Sequence, residues 1–248
     1  SVKTFFTMTI KRLRLTAADA PCAPLVCRED ALALGGVTGR LARAASTEYR
    51  YNGFGQRVYK NVNGVITRYV YDLDGHLLAE LDASGQVTRE YVWLDAQPIA
   101  VLTPTAPGAA TVRIDYLVPD HLGTPRLIVN SAGAPVWRWD SDPFGTSAPN
   151  EDPAGTGTPY VFNLRFPGQY FDAETGLSYN YMRMYEPGTG RYIESDPIGL
   201  KGGGNRYGYC GGIRLGRATC MACRRSTPPT ETWKPNAGRW RPHRLRPN

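Results

Sequence analysis

Three residues near the C-terminal third carry the types and spacing that could do chemistry: Asp172, Asp196 and Arg183. Asp196 sits in the run YIESDPIGLKGGGNRYGY (residues 192–209), where an acid is followed by proline, glycine and then a glycine cluster. A pair of aspartates can hydrolyse a peptide when the two share one proton. One then acts as base on a water and the other as acid toward the carbonyl. That chemistry needs the carboxyls close together and partly desolvated, so that repulsion raises one pKa. Between the two acids, SYNYMRMY reads as a strand, PGTG as a turn and RYIES as a return strand, a hairpin able to bring both ends together. The competing reading is that DAETG and DPIG are turns started by aspartate. Arg183 between them either orients a carboxylate and the strand beside it or makes an ordinary cross-strand pair. Pro197 fixes its own φ, and the glycines after Leu200 let an extended chain enter a cleft at little steric cost. Asp142, in SDPFG, repeats the DP-x-G form without the following leucine and reads as a plain turn.

Other chemistry is thinner. Cys220 and Cys223 have the spacing of half a zinc site, with Cys210 and His243 as distant candidates, but no second close pair completes it. No metal and no cofactor is therefore expected. His121, in PDHLGTPR, lacks a neighbouring ligand, and His76 reads as a turn residue. The five cysteines are odd in number and none lies between positions 28 and 209, so the centre is not built on disulfides.

The elements that must position these residues are read from composition. The chain has 248 residues, 27 glycines, 20 prolines and 15 tyrosines, a mix suited to short strands and tight turns. The formal charge of +7 is local: residues 1–200 hold 18 Lys/Arg against 21 Asp/Glu, and residues 201–248 hold 11 against one. A nucleic-acid argument from charge applies only to that tail, where Trp233 and Trp240 could stack on bases. The bland reading, a solvated basic tail, is preferred. No apolar run is long enough to span a membrane, and the first fifteen residues lack a signal peptide's unbroken apolar stretch.

Three zones follow. Residues 1–47 are Ala/Leu/Arg-rich and without clear period. Residues 210–248 are Arg/Pro/Cys-rich and too polar to bury a core, which reads as disorder. Between them the chain repeats: YRYNGFGQRVYK (49–60), TRYVYDLDGHLLAEL (67–81), TREYVWLDAQPIAVL (88–102). Tyr51-Asn52 and Tyr71-Asp72 stand twenty residues apart, as do Gly55 and Gly75, and NG, DG and SG dipeptides at 52–53, 63–64, 74–75 and 84–85 mark hairpin turns. A hairpin cannot cover its own apolar face, so such units must stack on neighbours.

These residues resemble the RHS, or YD-repeat, family. YVYDLDGHL (69–77) matches its repeat. DHLGTPRLIVNSAGAPVWRWDSDPFG (120–145), RFPGQYFDAETGLSYNYMRMYEPGTGRYIESDPIGL (165–200) and GGGNRYGY (202–209) match its repeat-associated core. The resemblance implies a mainly β fold, with antiparallel hairpins in a curved, spiralling sheet closed by a C-terminal plug. It implies repeats over 48–118 and the core over 119–209. It also implies a shell that holds a C-terminal effector, with Asp172 and Asp196 as self-cleaving aspartates, Arg183 beside them, and a cut between Leu200 and Lys201. Partners would be the chain's own effector region, neighbouring repeats and secretion-apparatus proteins, with residence in the bacterial cytoplasm before export, commonly by type VI secretion. The chain departs from the pattern in its short array, in Tyr185-Glu186-Pro187 where the family has YDP, and in the CGGIRLGRATCMACRRSTPP stretch after residue 209. The alternative reading is a noncatalytic scaffold remnant, since some YD-repeat surfaces contact carbohydrate or cell surfaces.

Overall fold

The structure is a computed structural model and describes residues 33–34, 40–44 and 46–209. The readings of the remaining N-terminal residues and of the tail, including all five cysteines, Trp233, Trp240 and His243, lie outside the described residues. Among the described residues no helix is long and apolar enough to cross a membrane.

Eleven strands form one antiparallel sheet in strict chain order. They are β1 Ala33–Leu34, β2 Leu41–Ala44, β3 Thr47–Tyr51, β4 Arg57–Val62, β5 Val65–Tyr71, β6 Leu77–Leu81, β7 Val87–Leu94, β8 Gln97–Pro104, β9 Val112–Pro119, β10 Pro125–Val129 and β11 Pro135–Arg138. A second sheet of four strands follows: β12 Tyr170–Asp172, β13 Leu177–Asn180, β14 Arg183–Glu186 and β15 Arg191–Tyr192. The mainly β, repeat-hairpin architecture expected from the sequence is the one found. The long sheet does not stop with the repeats at 118; β10 and β11, within the 119–209 stretch, extend it by two strands.

The strands turn where Asn or Asp can cap the backbone. Asn52, Asp82, Asp120, Asn130 and Asp142 each accept the amide two residues ahead on a side-chain oxygen. In each case the glycine three residues ahead donates to that Asx carbonyl. The glycine that matters is thus Gly55 or Gly85, at φ 82° in both, and only glycine takes that conformation without strain. The NG at 52–53 marked the right place but the wrong glycine. Asn63–Gly64, with φ 51° and 90°, is a two-residue turn of the kind an NG dipeptide predicts.

Alternation puts one face of the long sheet inside. Its buried rows run Tyr49–Lys60, Tyr69–Glu80, Tyr91–Val101–Asp115 and Leu117–Ile128–Trp137 across paired strands. On β9 the opposite row, Val112, Ile114, Tyr116 and Val118, is exposed. The inner face is covered by residues 160–184: Phe162 packs edge-on to Trp137 at 5.1 Å, and Tyr170 edge-on to Tyr69 at 5.3 Å. Removing a fully buried ring such as Phe162 costs about 3–5 kcal/mol. The inner face is not purely apolar. Glu80 accepts the Tyr91 hydroxyl at 2.5 Å, and Asp115 accepts the Tyr160 hydroxyl at 3.0 Å. Each buried acid therefore has a donor, as burial demands.

Candidate functional site

SYNYMRMY is not one strand. It folds back at Tyr181, whose φ is 55°, and Asn180 pairs with Arg183. The segment between the two aspartates thus makes three reversals rather than one hairpin. Successive side chains on a strand point to opposite faces, which sorts the small sheet. Asp172, Leu177, Tyr179 and Met184 face the long sheet and join its core. Phe171, Ser178, Tyr185 and Tyr192 form the row on the other face, which also carries Arg183.

Asp172 is fully buried between two cations of the repeat sheet. Arg57 Nη1 donates to Oδ2 at 2.5 Å and Lys60 Nζ to Oδ1 at 3.0 Å. Lys60 also reaches Glu174, which accepts the Tyr49 hydroxyl at 2.9 Å. The Arg57 guanidinium lies 4.4–5.3 Å from the ring centroids of Tyr179, Tyr69, Tyr170 and Tyr49. Burial is the largest single influence and disfavours its charge, but the Asp172 carboxylate together with Tyr69 and Tyr71 outweighs it, and the arginine pKa stands well above its ordinary value. Arg57, Lys60 and Glu174 were not singled out from the sequence. Glu174 stands in the turn two residues after Asp172, but Arg57 and Lys60 come from β4, far from Asp172 in the chain, and only the packing of the small sheet on the long one brings them to it.

Asp196 belongs to the other face. Its Oδ2 accepts from Arg183 Nη2 at 3.1 Å, and its Oδ1 accepts the Ile198 amide at 3.0 Å. Gly199 donates to the Asp196 carbonyl at 2.9 Å, so DPIG makes the same Asx turn as those between the repeats. Asp120 is a close parallel: it caps its turn and pairs with Arg126 at 3.0 Å. The Asp196 amide donates to the Arg206 carbonyl at 2.8 Å, and Arg183 Nη1 reaches that same carbonyl at 3.2 Å. Arg183 thus clamps both ends of a loop, residues 196–206, and its guanidinium lies 3.7 Å from the Tyr192 ring centroid. At the loop tip a short 3₁₀ helix, Gly199–Gly202, holds Leu200 and Lys201, both exposed.

The structure therefore brings Arg183 to Asp196 and places Leu200–Lys201 on the loop they anchor. It does not bring Asp172 to either; the small sheet stands between. A third carboxyl, Glu194, lies near Arg183. It is buried, accepts the Met184 amide at 2.7 Å on Oε2, and has no partner for Oε1 among the described residues. Burial pushes it up to about 7, the Met184 amide and Arg183 only partly opposing this. Its signal in the sequence was its place two residues before Asp196 in RYIES, a stretch that reads as a return strand but in the structure is strand only at Arg191–Tyr192.

Asp72, Asp74 and His76 cluster closely enough to hold a cation. However, His76 Nδ1 already lies 2.9 Å from Asp72, the His76 amide donates to the same carboxylate, and the imidazole stacks on Trp93. That is a braced turn. Asp142 caps its turn through Phe144 and Thr146.

No family model matches the chain. It is 39% identical over 121 residues to the toxin protein Tse5 of Pseudomonas aeruginosa, covering 49% of this chain and 9% of that protein. It is 31% identical over 163 residues to the probable deoxyribonuclease RhsA of Dickeya dadantii, covering 65% and 11%. Among solved structures, the crystal structure of TcdB2-TccC3-TEV superposes with a TM-score of 0.50 at 20% identity, over 70% of this chain and 9% of that one, a likeness of fold. The chain thus spans about a tenth of the length of these relatives. The ordered motifs, the antiparallel hairpin strip and these relatives converge on the RHS, or YD-repeat, family.

Proposed function

We propose that this chain is the sealing end of an RHS-type toxin shell, in which the repeat sheet forms the wall and residues 160–209 the plug. The shell encloses a C-terminal effector, and the effector is freed by one self-cleavage between Leu200 and Lys201. The observation that carries this is the Arg183 clamp, which pins Asp196 to the Arg206 carbonyl and so offers the Leu200–Lys201 bond at the tip of a closed loop. In this reading Asp196 and Asp172 are the two reacting carboxyls and Arg183 orients the loop. Acting together takes a rearrangement that carries the 196–206 loop past the small sheet's edge to Asp172. The freed effector would be a toxin, and the assembled protein would be exported from the cytoplasm, type VI secretion being the route that the toxin relative suggests.

One observation favours the noncatalytic reading, a scaffold that seals the sheet without cutting. Asp172 is ion-paired to Arg57 and Lys60, and Asp196 does for its turn what Asp120 does for its own. Intact-mass measurement of the purified chain beside an Asp196→Asn variant separates the two. Fragments split after Leu200 in the wild type, absent from the variant, support self-cleavage. Full-length mass in both, with a folded β spectrum by circular dichroism, leaves the scaffold.

A further inference from the structure

On the small sheet's outer face, the row Phe171–Ser178–Tyr185 lines a cavity of about 400 Å³ together with Trp139 and Phe166. That is within the size range of sites that take small ligands or pieces of peptide. Residues 146–148 at its rim are exposed, so the cavity has a way in.

Its polar lining includes Thr146, Ser147, Thr175, Ser178 and the carboxylate Glu186, and two further polar side chains, Arg165 and Gln169, come from one turn. In RFPGQ the Arg165 amide donates to the Gln169 carbonyl at 3.1 Å, with Pro167 and Gly168 at the bend. Paired residues at a turn's mouth share a face, and both line the cavity. Gln169 is 2% exposed, and neither its Nε2 nor its Oε1 has a partner among the described residues. Leaving both ends of a buried amide unmatched is costly. Arg165 is 6% exposed. Its Nη1 donates to the Phe162 and Leu164 carbonyls, at 2.6 and 3.0 Å. Among the described residues, no carboxylate comes within ion-pair distance of it. Its guanidinium rests instead on aromatic faces, 4.8 Å from Phe171 and 5.2 Å from Trp139. Burial draws its pKa down to about 10, and the more distant Glu151 carboxylate and Tyr170 only partly oppose this.

The unmet groups describe a complement. Arg165 lacks a carboxylate, Gln169 lacks one acceptor and one donor, and the walls lack an apolar body. A peptide group offers the C=O and N–H for Gln169, an attached carboxylate suits Arg165, and an aromatic or aliphatic side chain fills the rest. We propose that this cavity is a binding site for a peptide carboxylate: a carboxylate next to a peptide amide and an apolar side chain, held by Arg165 and Gln169. The carboxylate can belong to a chain terminus or to an acidic side chain. The site stands apart from the 196–206 loop and does not depend on cleavage there.

The test is a titration of the full chain, labelled with ¹⁵N, with three probes: acetyl-Gly-Phe as the free acid, the same peptide as its amide, and acetyl-Glu-Phe-amide. The reporters are the Gln169 side-chain amide and the Trp139 indole N–H, which donates to the Ser147 carbonyl at the rim at 2.7 Å. The free acid should shift both signals saturably, with a Kd on the order of 1 mM, and the neutral amide should bind about tenfold more weakly or worse. Binding by acetyl-Glu-Phe-amide as strong as by the free acid assigns the site to acidic side chains as well as termini. Weaker binding assigns it to termini alone. Arg165→Lys should weaken the acid while keeping the charge, because it loses the two-pronged geometry. Equal binding of acid and amide, or no saturable shift of either reporter at about ten times that concentration, overturns the proposal. The acid–amide comparison uses the wild-type chain, so it decides even where an Arg165 variant fails to fold.

Discussion

The two faces of the small sheet are made by the same four strands, yet they treat an aspartate in opposite ways. On the inner face Asp172 is sealed from water between Arg57 and Lys60, and its partners come from the repeat sheet. On the outer face Asp196 keeps some exposure, caps a turn, and has one cation drawn from its own sheet. The first arrangement joins two parts of the molecule, and the second shapes one loop. A carboxylate's role here follows from the provenance of its cation more than from its motif.

This contrast can be broken at several points, and the largest effect should come from the inner face. Arg57→Met leaves Asp172 and Lys60 buried with the pairing incomplete, and should cost about 3–5 kcal/mol in denaturant unfolding. Asp172→Leu combined with Arg57→Met should restore much of that, because two well-packed apolar groups often serve as well as a buried pair. A loss below ~1 kcal/mol for the single variant would show that the inner network holds nothing together.

Glu194 sets the next scale. Its carboxyl is raised from 4.5 to about 7 in the fold. The folded state thus holds its proton more tightly than the unfolded chain does. Its stabilising contribution is complete below pH 4.5 and is lost as pH rises through 7, a fall of up to about 3 kcal/mol. Glu194→Gln should flatten that slope in unfolding midpoints measured from pH 4.5 to 7.5. An unchanged slope would remove Glu194 as its source.

On the outer face Arg183→Met should cost less, about 1–2 kcal/mol, and locally. Hydrogen exchange should speed up at the Asp196 and Gly203 amides while the β7–β8 amides keep their protection. Uniform acceleration would mean that Arg183 supports the whole plug. Smallest of all, Glu48→Ala should change stability by no more than ~0.5 kcal/mol, since its pair with Arg50 at 2.7 Å is solvent-exposed. A larger loss would mean that exposed pairs on the repeat sheet matter as much as the buried ones.

The sequence made the strip legible because its code is local. Alternating aromatics and an Asx five residues before a strand restarts fix strand, face and turn within a few positions, as at Asp72 and Asp82. The fold-back at Tyr181 was not legible. A left-handed tyrosine has no turn dipeptide to announce it, and reading SYNYMRMY as one strand put Asp172 and Asp196 at two ends of one hairpin. Arg183 beside Asp196 could be anticipated from proximity in the chain. Arg57 and Lys60 could not, because nothing within their own hairpin calls for a buried acid.

Strict chain-order pairing has a kinetic consequence. Every strand pairing within the strip joins a strand to its immediate successor, so little loop-closure entropy stands against each step. The strip can therefore grow strand by strand as the polypeptide leaves the ribosome. The locking contacts are of another kind: Arg57–Asp172 spans 115 residues and Tyr49–Glu174 spans 125. They wait until almost the whole of the described chain has been made. Assembly thus has a built-in order, an open strip first and a latch last.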